Sequence, residues 1–96
     1  MAVESDVRNA MQQLVSAKAG LDAATSERRS AQAQYESEQR QFRAGTSTVF
    51  LVLQRQTELV TARTRELRAN ADLGVALADL DRATASTIAA QNIKVQ

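Results

Sequence analysis

The chain has 96 residues and is 44% hydrophobic, but 18 of its hydrophobic residues are Ala and only 3% of the chain is aromatic. That allows one small domain without a thick core of large side chains. It contains no Cys and no His, which removes disulfides, thiol nucleophiles, His-based acid–base catalysis and the usual zinc sites. A net charge of +1 gives no global drive toward nucleic acid, and 3 Gly with no Pro leave too few turns for an all-β sandwich or barrel.

The first 43 residues are rich in the helix formers Ala, Gln, Glu and Arg and are interrupted only by Gly20. Every seventh residue from Val7 gives Val7, Leu14, Leu21, Arg28, Tyr35 and Phe42. The partner series is Val3, Ala10, Ala17, Ala24, Ala31 and Glu38. Together they form a heptad seam, and the spacing predicts a helix over about residues 3–43. Large residues set beside Ala let two helices approach closely. Arg28 and Glu38 depart from the pattern and are expected at an edge of the seam.

Punctuation comes at Arg43-Ala44-Gly45-Thr46-Ser47-Thr48. Gly45 suits a helix C-terminal cap, because it accepts a left-handed backbone without a Cβ clash. Arg40 and Arg43 suit the negative end of the helix dipole. Thr46, Ser47 or Thr48 can cap a second helix, with no Glu or Gln three residues on to complete a capping box. The turn is assigned to residues 44–47.

The second helix is predicted over about residues 48–86. One of its apolar series is Leu53, Val60, Leu67 and Gly74; another is Val52, Leu59, Leu73 and Leu80, with Ala76 and Leu77 beside it. Residues 46–53 have the composition of a strand, yet the seven-residue spacing from Leu53 into Val60 and Leu67 favours helix. Residues 87–96 lose the period and read as a fraying tail beyond the second helix.

Helices of about 40 residues are roughly 60 Å long, and so short a connection folds them back as an antiparallel hairpin. The fold class is all-α: a long antiparallel helical hairpin, or coiled coil. One hairpin buries one seam, so Val52, Leu59, Leu73 and Leu80 are expected to lack partners and to drive self-association into a helical bundle.

The carboxylates Asp72, Asp79 and Asp81 sit among arginines, and Glu27 adjoins Arg28 and Arg29; both groups read as solvated, ion-paired faces. Arg63, Arg65 and Arg68 are diluted by Glu58, Glu66 and Asp72 and have no aromatic neighbour for stacking on bases. No glycine-rich phosphate loop occurs. No enzyme activity, cofactor or metal is expected, and no nucleic-acid partner. No apolar run approaches the roughly 20 residues of a membrane span, and the N-terminus does not read as a signal peptide, so the chain is expected to be soluble and without direct membrane contact.

The most informative segment is Val49 to Leu53, five consecutive apolar residues. Successive helical residues point about 100° apart, so the run goes right round a helix. Two readings stand side by side: a hydrophobic plug closing the turn, to which Phe42 and Phe50 contribute, or a contact surface for another chain.

Here the sequence resembles a known family. Residues 42–54, from Phe42 through Gly45, Thr46, Ser47, Thr48 and the apolar run to Gln54, are similar to the hairpin turn of the outer-membrane efflux proteins, the TolC-like channels. The pattern there is an aromatic, a Gly, a short polar stretch, an apolar pair and Leu-x-x-Gln. Gln56 to Arg63 and Ala69 to Leu80 resemble the segments that follow, and Val3-Glu4-x-x-Val7-x-x-Ala10 the start of the helix pair. The resemblance implies an excised piece, with Met1 and Ala2 as cloning residues: one periplasmic hairpin of a trimeric outer-membrane channel, taken from a chain with two such repeats and membrane β-strands. It implies that the tip, Phe42, Arg43, Gly45, Thr46, Ser47, Thr48, Val49 and Phe50, docks the pump's periplasmic adaptor (membrane fusion) protein. Some members carry carboxylates just past the turn that constrict the channel mouth. Leu51 and Gln54 stand there in this chain, which speaks against an acidic, cation-selective constriction. The rival classes are an adaptor's own hairpin, which lacks its flanking β segments here, a structural coiled-coil spacer, and a secreted helical hairpin whose turn requires a Trp this chain does not have.

Overall fold

A computed structural model describes residues 2–95, with side chains described for residues 4–90. Two helices make up almost all of it: α1, Ala2–Arg43, and α2, Val49–Val95. They lie against each other as an antiparallel hairpin in a rod of 77 × 14 × 13 Å. The described residues contain no strand, and the strand-like 46–53 segment is helical from Val49 onward.

The turn is built from the residue types anticipated for it. Gly45 has φ +80°, the left-handed region, and no non-glycine residue among those described has positive φ. The Gly45 N–H donates to the Phe42 carbonyl at 3.0 Å and the Thr46 N–H to the Gln41 carbonyl at 2.9 Å. These two bonds make a Schellman ending for α1. The Thr48 side-chain oxygen accepts the Leu51 N–H at 3.2 Å, so Thr48 is the N-cap of α2 and the turn spans 44–48.

Among the described residues three ion pairs cross between the helices: Arg28–Glu66 at 3.2 Å, Arg55–Glu38 at 3.6 Å and Arg65–Glu27 at 3.3 Å. They show which residues of the two helices lie level. Stepping seven residues away from Glu38 and Arg55 in opposite directions brings Ala31 level with Ala62, Ala24 with Ala69, Ala17 with Ala76 and Ala10 with Ala83. The same step from Arg28 and Glu66 brings Leu21 level with Leu73 and Leu14 with Leu80. Shared surface grooves agree, since Ala31 and Ala62 line one, Ala17 and Ala76 a second, and Ala10 and Ala83 a third. The seam therefore alternates alanine levels, where the backbones approach closely, with levels of larger side chains. Ala10, Ala24, Leu59, Ala62 and Ala76 are its buried hydrophobic residues.

This corrects the assignment of the two stripes on α2. Val52, Leu59, Leu73 and Leu80 do not lack partners: they are the seam, with Leu59 only 4% exposed. The stripe left outside is Leu53, Val60 and Leu67, 54%, 55% and 71% exposed. The seam on α2 alternates three- and four-residue steps through Val52, Arg55, Leu59, Ala62, Glu66, Ala69, Leu73, Ala76 and Leu80, all buried or half-buried. The expected tail is corrected too, because α2 continues to Val95. Ala83, Thr87 and Ala90 carry the seam onward, half-buried, although their small or polar side chains hide the period, and no Gly or Pro after Gly74 stops the helix. Residue 96 lies outside the described residues. Glu38 is not at an edge; it is the buried charged residue of the seam, 7% exposed.

Candidate docking tip

At the tip the apolar run is open. Phe42 is 44%, Val49 57%, Phe50 74% and Leu51 37% exposed. Phe42 and Phe50 therefore do not close the turn as a buried plug; Phe50 lies two residues before the seam position Val52 and stays mostly exposed. Leu53 is also exposed and Val52 is half-buried. Arg43 and Gln54 are exposed.

Gly45 is unobstructed: beyond its own chain neighbours, no heavy atom lies within 4 Å of the position a Cβ would take. Its conformation, rather than crowding, is what selects glycine. The peptide is thus accessible to a partner's backbone.

The three hydroxyls all have work inside the hairpin. Thr46 donates its O–H to the Gln41 carbonyl at 3.0 Å, Ser47 donates to the Glu38 carboxylate at 2.8 Å, and Thr48 accepts from Leu51. Thr46 and Thr48 are exposed and Ser47 is half-buried. Each hydroxyl keeps capacity beyond these bonds, since it offers one donor and two acceptor positions. Their first role is to fix the loop that presents Gly45.

Sequence reasoning missed the ionic cluster beneath the tip. The Glu38 carboxylate takes the Ser47 hydroxyl on one oxygen and faces Arg55 with the other. Arg55 also donates to Glu58 at 3.1 Å. The Arg55 pKa is raised, chiefly by the hydrogen bond and charge of Glu58 and further by Glu38, against an opposing desolvation. A signal was present: both polar interruptions of the α1 seam, Arg28 and Glu38, have an opposite charge at the matching level of α2, Glu66 and Arg55.

A second feature runs the length of the rod. Met11, Val15, Val49, Leu53, Val60, Leu67, Leu77 and Ile88 are all exposed, and each follows a seam-register position by one residue. They share one flank of the hairpin as an apolar ridge. Glu27, Glu58, Arg65, Asp72 and Asp79 precede seam positions by one residue and lie on the other flank, where Glu27 and Arg65 pair and the open grooves are found. Among the described residues no cluster of acidic, His or Cys side chains is arranged for a metal ion, and no helix is long and apolar enough to cross a membrane.

Comparison with protein-family profiles, curated sequences and solved structures finds no match to this chain.

Proposed function

We propose that this chain is the periplasmic hairpin of a trimeric outer-membrane efflux or export channel, one stave of its helical duct, with a tip that docks the helical hairpin of the pump's adaptor protein. The observation that carries this reading is the uncovered apolar tip: Phe42, Val49, Phe50 and Leu51 stand exposed around an open Gly45 at the end of a rod. A plain spacer gives no reason for that placement. The similarity of residues 42–54 to the turn of the efflux proteins supplies the family.

Unlike flanks support the stave. The ridged flank is apolar and carries Arg8, Lys18, Arg29, Arg43 and Arg63 against Glu4, Asp22, Glu36 and Asp81, a slight basic excess. The grooved flank carries Asp6, Glu27, Glu58, Asp72 and Asp79 against Arg65, Arg68 and Arg82. A surface that is apolar and basic on one side and grooved and acidic on the other complements its neighbour's opposite side. Such head-to-tail contacts close into rings where the rotation between neighbours closes.

The test is Phe50→Ser in the complete channel chain that carries this segment. Phe50 is mostly exposed in the first turn of α2, so its loss spares the hairpin. Export is expected to fail while the trimer assembles normally. Export at the normal rate with normal protein level overturns the docking role.

A further inference from the structure

We infer that the Glu38–Arg55–Ser47 cluster, with Arg28–Glu66, is the register lock of the hairpin and thereby the positioning device of the tip; its value to docking rests on the reading above, but the lock itself does not. The alanine ladder alone does not choose a register. Sliding α2 by one heptad would set Ala10, Ala17, Ala24 and Ala31 opposite Ala90, Ala83, Ala76 and Ala69, so every alanine level would again be alanine against alanine. Leu14 and Leu21 would face Thr87 and Leu80. The alanine levels are indifferent to the slip, as uniform heptads are when no polar residue marks a position, whereas among the larger levels Leu14 would lose Leu80 and Tyr35 would face Glu66 in place of Leu59.

The ionic levels are not indifferent. After the slip the buried Glu38 would face Ala62, losing Arg55, and Arg28 would face Leu73, losing Glu66. A buried charge without its partner is strongly disfavoured, so the slipped state is excluded by these pairs. The turn alone would resist less: residues 49–55 would join the loop, and loop lengthening is entropically cheap. Ser47 ties the cluster to the loop itself, since its hydroxyl reaches back nine residues to Glu38. The carboxylate thus holds both the opposing helix and the segment that displays Gly45 and Val49.

The test uses the absence of Cys from the chain. A cysteine pair at Ala24 and Ala69 reports the native register, and a pair at Ala24 and Ala76 reports the slipped one. With Glu38 and Arg55 present, oxidation is expected to link the first pair and leave the second largely free. In Glu38→Ala/Arg55→Ala, which extends the alanine ladder to the tip, linkage at the slipped pair is expected to rise several-fold with helical circular dichroism retained, and to rise further when Arg28→Leu/Glu66→Leu is added. The swapped pair Glu38→Arg/Arg55→Glu is expected to restore the native pattern. If the double-alanine chain unfolds, the shape-preserving Glu38→Gln takes its place, with the same rise at the slipped pair expected. Native linkage that persists alone in folded variants overturns the lock and leaves tip docking untouched. Slippage as expected in a channel whose Phe50→Ser variant still exports removes the docking reading and leaves the lock standing.

Discussion

Two stripes of α2 differ by a single residue of offset and have opposite fates. Val52, Leu59, Leu73 and Leu80 are buried or half-buried in the seam, whereas Leu53, Val60 and Leu67 stand in solvent. Both are valine and leucine at seven-residue spacing. A step of about 100° round the helix separates a residue that holds the hairpin together from one free to hold a neighbour. What chooses between them is the partner helix. The stripe that can set Glu66 against Arg28 and Arg55 against Glu38 while meeting alanine with alanine becomes the seam.

The largest effect that tests this contrast is truncation at Leu59 against truncation at Leu67. Leu59→Ala removes a buried leucine from a level shared with Tyr35 and is expected to cost about 2–5 kcal/mol, the range for leucine-to-alanine cavities. In a rod with no other core, that is enough to lower the thermal midpoint steeply. Leu67→Gln, at 71% exposure, is expected to leave stability within about 0.5 kcal/mol and to weaken self-association, read by sedimentation. Equal losses of stability from the two variants would show that the stripes are not distinguished in solution.

Much of this fold is legible in the residues, and the failures have a common cause. The α1 seam shows plainly because its large and alanine series alternate without competition. Gly45 and Thr48 announce their caps because backbone conformation and hydroxyl geometry admit few other residues there. The α2 seam is hidden because it contains Arg55, Glu66 and Thr87, which a search for apolar periodicity discards. The discarded residues are the ones that complement Arg28 and Glu38. The last turns of α2 are misread for the same reason: Ala83, Thr87 and Ala90 fill seam positions without looking hydrophobic. At the tip, the candidate residues are visible by type, but the commitment of all three hydroxyls to the hairpin itself depends on loop geometry that spacing does not encode.

An intermediate effect separates the tip's conformation from its openness. Gly45 has φ +80° with empty space around it, so a side chain there is strained only through the backbone. Gly45→Ala is expected to cost about 1–2 kcal/mol, the penalty of a left-handed L-residue. Gly45→Asn is expected to cost less, since Asn tolerates that conformation. Thermal melts of the two variants check the difference. If both lose stability equally, an unseen crowding rather than the backbone sets the glycine. In the channel proposed above, a stable Gly45→Asn chain that no longer exports would assign the loss to blocked approach rather than to folding.

The smallest expected effect lies at the half-buried ion pair in the middle of the seam. The Glu66 pKa is lowered from its ordinary 4.5, first by the hydrogen bond from Arg28, with Thr25 and the nearby arginine charges adding to it and desolvation opposing. A carboxylate whose folded pKa is depressed contributes stability that is present above its unfolded pKa and disappears as pH falls through the lower folded value. The native chain is therefore expected to melt above Glu66→Gln at neutral pH, with the gap closing as pH drops below the ordinary carboxylate range. Added salt is expected to narrow the gap at neutral pH, because both side chains keep about a quarter of their surface in water. A gap that stays constant from neutral to strongly acidic pH would mean that Glu66 acts through packing. The ionic level would then distinguish the seam from the outer ridge by shape rather than by charge.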